Sequence, residues 1–329
     1  MNSWQHRHGC GGKEPERRAR EPEITEINLN KKNPMHDTTI IDGKTVAAAI
    51  EAGIKADAEL LAAQRGITPG LAVVLVGNDP ASATYVRSKG KACARLGFYS
   101  ATHTLPEETT EAELLALIAE LNADERVHGI LVQSPMPKHI NPDRVVLAID
   151  PRKDVDGFHP TNVGRLVIGL PSPEPCTPSG VIAMLKHYGI ATRGKRAVVV
   201  GRSMLVGKPL ANLLLRKGEG GDAIVTVAHS AAGDLGSITR QADILVAAIG
   251  RPGYITPDMV KPGAVVIDVG INRVEDPAAE KGYRIVGDVD FDAVAPVASA
   301  ITPVPGGVGL MTIAMLMNNT LRSAQGAFN

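Results

Sequence analysis

Neither sign of charge is in excess in this sequence: 35 lysines and arginines balance 35 aspartates and glutamates. That balance removes the bulk electrostatic case for nucleic acid or an anionic membrane as a partner. Cysteine is scarce. Cys10, Cys93 and Cys176 are far apart and odd in number, so they form neither a disulfide framework nor a zinc spacing, and a reducing cytoplasm is the natural compartment. No apolar run reaches the ~20 residues needed to cross a bilayer. Ser203 lacks a G-x-S-x-G frame, and His103, His159 and His229 stand apart from any triad, which argues against a serine hydrolase. Asp154 and Asp156 flank Val155 without a companion group of His or Glu at ligand spacing. No metal is expected, and the pair by itself fits capping carboxylates in a polar turn.

What is present is a repeated α/β pattern. A chain of 329 residues, 44% apolar and 21% charged, has an ordinary globular composition. Its length suggests about two domains. Met1 to Pro34 stands apart, rich in charge, without helical or strand period, and holding the single tryptophan, Trp4. Glutamates among its arginines and the lack of an apolar h-region fit neither a transit nor a signal peptide, so residues 1–36 read as a disordered extension. Beyond it, Val46, Ile50 and Ile54, then Leu60 and Leu61, predict a helix to about Arg65, stopped by Gly66 and Pro69. The apolar run 71–77 predicts a buried strand, the segment ending at Leu96-Gly97 a helix, 107–121 another, and 129–132 a short strand. Prolines crowd 133–178, which predicts irregular loops at a domain junction, where binding residues collect. After a helix at 179–188, strands at 196–201, 223–229, 243–250 and 264–270, with a short edge at 285–288, predict a parallel dinucleotide-binding sheet. Glycine-rich 301–309 then leads into the apolar segment 310–321, expected to be a buried helix.

Two stretches carry candidate chemistry on their own residues. In Thr84 to Ala92 a helix puts Tyr85 and Lys89 on one face, one turn apart, beyond the end of a strand. A lysine beside a phenol there suits a tuned acid/base, whereas Arg87, Lys91 and Arg95 close by fit a solvated basic face. Gly201 to Pro209 is a glycine-bounded turn from strand into helix, suited to an anion. It does not match G-x-G-x-x-G and also fits an ordinary tight turn. The next strand runs into His229-Ser230 with no carboxylate for a ribose 2′-hydroxyl, and Arg202 lies near, so NADP is favoured over NAD.

Eight stretches taken together resemble the bifunctional methylenetetrahydrofolate dehydrogenase/cyclohydrolase family: 85–92, 129–133, 153–160, 176–178, 201–209, 266–272, 286–289 and 301–309. The resemblance runs from about Ile40 to Leu321. It implies an α/β fold of two domains: a folate-binding catalytic domain over 37–158, completed by a last helix at 306–325, and a Rossmann-type NADP domain over 159–305. It implies NADP-dependent oxidation of 5,10-methylenetetrahydrofolate, then hydrolysis of the 5,10-methenyl product to 10-formyltetrahydrofolate, by a homodimer. A dehydrogenase-only member, or another NADP-dependent two-domain oxidoreductase, is the alternative. By the same resemblance Lys89 is the acid/base, Gln133 holds its amine, Tyr85 stacks on the folate rings and aligns Lys89, and Asp156 anchors the pterin. Pro303, Gly306, Gly307 and Gly309 then belong to a loop over the folate, and Gly201, Arg202, Ser203, Ser230 and Ile271 to the cofactor site. Ser134 stands where the family has leucine, and Leu310 where it has proline.

Overall fold

Apolar runs of strand length, which bury both faces of a strand, alternate here with stretches that have one apolar face. That pattern yields parallel sheets covered by helices. The computed structural model describes residues 38–280 and 282–328, and the extension expected at 1–36 lies outside the described residues. The first half runs β1 (Thr39–Ile40), α1 (Gly43–Arg65), β2 (Gly70–Val76), α2 (Pro80–Leu96), β3 (Tyr99–Leu105), α3 (Glu111–Ala123), β4 (Gly129–Val132) and α4 (Pro142–Ala148). The second begins with α5 (Pro160–Ile168), α6 (Cys176–His187), β5 (Arg196–Val200), α7 (Gly207–Leu215), β6 (Ile224–Ala228), α8 (Leu235–Thr239) and β7 (Ile244–Ala247). It closes with β8 (Val265–Asp268), β9 (Asn272–Glu275), β10 (Tyr283–Val286), α9 (Phe291–Val294), β11 (Ala300–Ile301) and α10 (Met311–Ala324).

Strands β3-β2-β4 form one parallel sheet, and the central β2 is buried at every residue. Strand β3 is not among the strands expected from the apolar runs. Its residues alternate between partly buried and exposed along a sheet edge, and Ser100, Thr102, His103 and Thr104 break up any apolar run. The second sheet has the order β1-β11-β8-β7-β5-β6 and is parallel at every junction. Strand β1 therefore pairs in the second sheet, although a boundary at 37 places it with the first domain. Ile41, next in the chain, is buried with Val181, Leu185 and Leu210 of the second half. The edge expected at 285–288 also differs. Tyr283–Val286 pairs antiparallel with β9 in a separate hairpin, whose alternating exposure cannot supply a strand covered on both faces.

The proline-rich junction is more regular than expected. Pro142 and Pro160 sit in the first turns of α4 and α5, where a missing N–H leaves no bond unmade. The Asn141 side chain caps α4 and His159 Nδ1 caps α5. Helix α10 contributes to both cores. Leu316, Met317 and Leu321 pack with Leu71, Val73 and Cys93, whereas Met311 packs with Val181 and Leu185. At Gly180, α6 and α10 come so close that a Cβ would lie 2.6 Å from that of Met311. No helix among the described residues is long and apolar enough to cross a membrane.

Candidate active site

In an open parallel sheet a crevice forms at the carboxyl ends of the strands where the strand order reverses. In the smaller sheet the chain leaves β2 for β3 on one side and reaches β4 on the other, and the segments beyond β2 and β4 carry Lys89 and Gln133. Asp79 caps α2 by accepting from the Ser82 amide at 2.7 Å, and Pro80 opens the helix. Helical phase then turns Val86, Lys89, Ala92, Cys93 and Leu96 inward. Lys89 is only 8% exposed, while Arg87, Lys91 and Arg95 lie on the solvated side. The basic-face reading thus holds for its neighbours and fails for Lys89.

The Lys89 amine donates to Gln133 Oε1 at 2.7 Å, and Gln133 Nε2 donates to the Ser134 carbonyl at 2.7 Å. The second bond orients the amide so that its oxygen faces the lysine. Burial pulls the Lys89 amine below the ordinary lysine range, against the attraction of Asp156. Burial likewise raises the Asp156 carboxyl to about 6, against the attraction of Lys89. Tyr85, by contrast, is 52% exposed, and the lysine's hydrogen bond goes to Gln133 rather than to the phenol.

The motif 153–160 resolves into separate roles. Lys153 Nζ donates to the carbonyls of Leu121, Asn122 and Asp124 and so closes the end of α3. Asp154 accepts from the His159 amide at 2.7 Å and from Asn162 Nδ2 at 2.9 Å, which anchors the start of α5. Both are engaged in the scaffold, and Asp156 is left to the crevice. A cavity of about 410 Å³ beside it is lined by Val132, Ser134, Met136, Val145, Phe158 and Leu205 among others. No group of three His, Cys, Asp or Glu among the described residues is placed to hold a metal ion.

The glycine loop is clamped to the start of α1. The Gly43 amide donates to the Gly306 carbonyl at 2.9 Å, and a Cβ on Gly43 would meet the Gly307 carbonyl at 2.1 Å. Gly309 faces the other half of the molecule, where a Cβ on it would lie 3.3 Å from Ile271 Cδ1. Folate-loop and cofactor candidates therefore meet at this point.

In the larger sheet the order reverses between β5 and β7. Gly201 follows β5 at φ +127°, with no room for a Cβ, which would lie 2.1 Å from the Ala248 carbonyl beyond β7. Gly207, the first residue of α7, is pressed on the Gly201 carbonyl in the same way. No side chain caps α7, and Arg202 and Ser203 are exposed beside it. The Lys208 amide turns back to the Ser203 carbonyl at 3.1 Å and the Val206 amide to Ser203 Oγ at 3.1 Å, so the Gly207 amide, a cradle without side chains and the Arg202 guanidinium are what fit the phosphates of a dinucleotide. Strand β6 ends without a carboxylate, at His229, whose Nδ1 accepts from the Ala231 amide at 3.2 Å, and at exposed Ser230.

Asp288 is absent from the residues singled out by sequence. Wholly buried, it accepts from the amides of Ile249 at 2.7 Å, Gly250 at 2.9 Å and Arg251 at 2.8 Å, and from Asn272 Nδ2 at 2.9 Å. It thereby fixes the loops after β7 and β8 that border this crevice. A lone acid inside a short glycine-containing apolar stretch, 286–289, is the signal by which it could have been found.

A turn suited to dinucleotide phosphates on one sheet, and on the other a buried lysine with a half-buried amide and carboxylate, fit an NAD(P)-dependent α/β enzyme. The chain belongs to the tetrahydrofolate dehydrogenase/cyclohydrolase family, whose catalytic-domain model matches residues 41–156 and whose NAD(P)-binding-domain model matches residues 175–328. It is 57% identical over 286 residues to the bifunctional protein FolD of Chlorobium phaeobacteroides, covering 86% of this chain and 97% of that one. Identity to the bifunctional protein FolD of Prosthecochloris aestuarii is 58%, with the same coverage of 86% and 97%. The solved bifunctional FolD methylenetetrahydrofolate dehydrogenase/cyclohydrolase of Campylobacter jejuni superposes with a TM-score of 0.82 at 50% identity, over 88% of this chain and 99% of that one. The Trypanosoma brucei enzyme, solved with NADP cofactor and inhibitor, gives 0.82 at 42% identity, over 88% and 98%.

Proposed function

We propose that this chain oxidises 5,10-methylenetetrahydrofolate with NADP and hydrolyses the 5,10-methenyl product to 10-formyltetrahydrofolate, with Lys89 as the acid/base of the hydrolysis. The 2.7 Å bond from a buried Lys89 amine to Gln133 carries the residue assignment. NADP, held by Gly201, Arg202, Ser203 and Ser230 with Ile271 at the edge, accepts the hydride of the one-carbon bridge. That oxidation yields a cation and gives no proton to a base, so alignment between the two crevices is the protein's contribution.

Hydrolysis needs proton transfer. A water oxygen bonds to the methenyl carbon, and the Lys89 amine takes a proton from that water. The ammonium then gives a proton to N5 as the carbon–N5 bond breaks, the remaining hydroxyl proton goes to solvent, and the formyl group stays on N10. Gln133 holds the amine in place throughout. Asp156 accepts from the pterin amino and ring N–H donors, a geometry suited to a carboxylate. The exposed ring of Tyr85 stacks on the folate, and the loop holding Pro303, Gly306, Gly307 and Gly309 closes over it. On this reading folate takes the first lobe, together with α10, and NADP the second. The open edge of β6, where Ile224 and Val227 are exposed, supports a homodimer. Free buried Cys93 and Cys176 support a cytoplasmic location.

Purified protein given 5,10-methylenetetrahydrofolate and NADP is expected to release 10-formyltetrahydrofolate, whereas accumulation of the methenyl product alone would favour a dehydrogenase-only enzyme. Replacing NADP by NAD is expected to lower kcat/KM about tenfold or more, and Arg202→Ala to narrow that gap. Equal rates with both cofactors would remove Arg202 from the assignment. The pH dependence follows from the two shifted groups. Folate KM is expected to rise as pH falls through about 6, where Asp156 gains a proton and loses its charge. Hydrolysis kcat should climb with pH and level off below the ordinary lysine range, because the neutral amine is the base and its proton is held less tightly. A KM that stays flat down to about pH 5 would count against Asp156 as the anchor.

A further inference from the structure

Helix α10 carries a buried primary amide on its inner face: Asn319 is 1% exposed, among Met315, Leu316 and Leu321, while its buried neighbour Thr320 satisfies its hydroxyl within the helix at the Leu316 carbonyl. A primary amide in such surroundings is destabilising unless its donors are matched. Here Asn319 Nδ2 donates to two backbone carbonyls from separate segments, Val155 at 2.8 Å and Glu174 at 2.7 Å. The first carbonyl belongs to the peptide that joins Val155 to Asp156. The second belongs to the peptide before Pro175, at the entrance to α6. From α6 itself the Cys176 thiol also donates to the Val155 carbonyl, at 3.5 Å. Burial keeps that thiol protonated, and so a donor. Gly157, on the far side of Asp156, adopts φ +73° and is pressed on the same segment, with its missing Cβ 2.8 Å from Pro175 N.

We propose that Asn319 is a positioning residue for folate binding, setting the Asp156 carboxylate at its height beside Lys89. The inference rests on the reading of Asp156 as the pterin anchor. On one side the Asp156 turn is held by the bridge between Ile130 and Asp154. On the other it hangs from Asn319 and Cys176. Because α10 is entered directly from the glycine loop 303–309, a single helix carries one wall of the folate pocket at its start and braces the anchor further along.

Asn319→Leu keeps the size of the side chain and removes both donors, while Asn319→Ser keeps a single hydroxyl donor. Both are compared with Asp156→Asn by steady-state kinetics, NADP titration and thermal melting. Asn319→Leu is expected to raise folate KM about tenfold in both reactions, leaving kcat at saturating folate and the NADP Kd within about twofold, with Asn319→Ser between it and the parent. Should the leucine variant not fold, the serine variant decides. A rise in folate KM alone supports the proposal, and equal losses in kcat, KM and NADP affinity overturn it as merely structural. If Asp156→Asn raises KM and neither Asn319 variant does, the positioning role is overturned while the anchor stands. If Asp156→Asn leaves KM unchanged, the anchor itself falls.

Discussion

Lys89→Ala is expected to lower the hydrolysis of 5,10-methenyltetrahydrofolate about 10²- to 10⁴-fold while NADP reduction from the methylene substrate falls far less. The asymmetry follows from the chemistry, since only hydrolysis moves protons at the one-carbon bridge. Folding should survive. Alanine is the better helix former, and the main loss is one hydrogen bond, to Gln133 Oε1 of a half-buried side chain. One side effect has a definite sign. Lys89 holds the Asp156 carboxyl down, so its removal lets that group rise further above about 6 and weakens folate binding near neutrality. Comparison at saturating folate and at a pH well above that value separates the two effects. Undiminished hydrolysis there would remove Lys89 from the mechanism.

The complementary loss is expected from Gly207→Ala. A Cβ at that position would meet the Gly201 carbonyl at 2.1 Å and the Arg202 Cα at 2.9 Å, both backbone atoms that no rotamer change can move aside. The turn must open, which moves the start of α7 away from Arg202, strains the bond from the Lys208 amide to the Ser203 carbonyl and dismantles the phosphate cradle. NADP affinity is expected to fall about ten- to a hundredfold, and NADP reduction at low cofactor with it. Hydrolysis of supplied 5,10-methenyltetrahydrofolate should remain close to that of the parent, because the Lys89 crevice is built on the other sheet. Calorimetric titration with NADP, beside a melting curve, checks this. An unchanged NADP affinity would show that phosphates do not occupy this turn.

Together the two variants divide the activities between the two sheets. Loss of both activities in either variant would mean instead that the crevices are one cooperative unit.

Much of the architecture was legible in one dimension. Strands β2, β5, β7 and β8 are written as continuous apolar runs because both faces are covered, and glycine marks the end of α1 and α2 through left-handed caps at Gly66 and Gly97. The glycine-bounded turn at 201–209 was legible for the same reason: backbone that must approach backbone leaves no place for a side chain. Edge and hairpin strands were harder to see. Strand β3 has polar residues on its open side, and β9 and β10 have no second buried face, so periodicity alone does not separate them from loop.

The chemistry of individual residues belonged to the tertiary structure. By spacing, Lys89 was one cation among four on a helix, and Asp154 and Asp156 were interchangeable. What distinguishes them is a bond spanning 44 residues to Gln133 in the first case and, in the second, the bonds that tie Asp154 to the His159 amide and Asn162 at the start of α5. Asn319 is further still from what it supports, 164 residues beyond Val155. Helix and strand signals survive in sequence because they are set by neighbours within a turn or a pleat. Hydrogen-bond partners at a site are set by strand order and by the path of a returning helix, which no local period records.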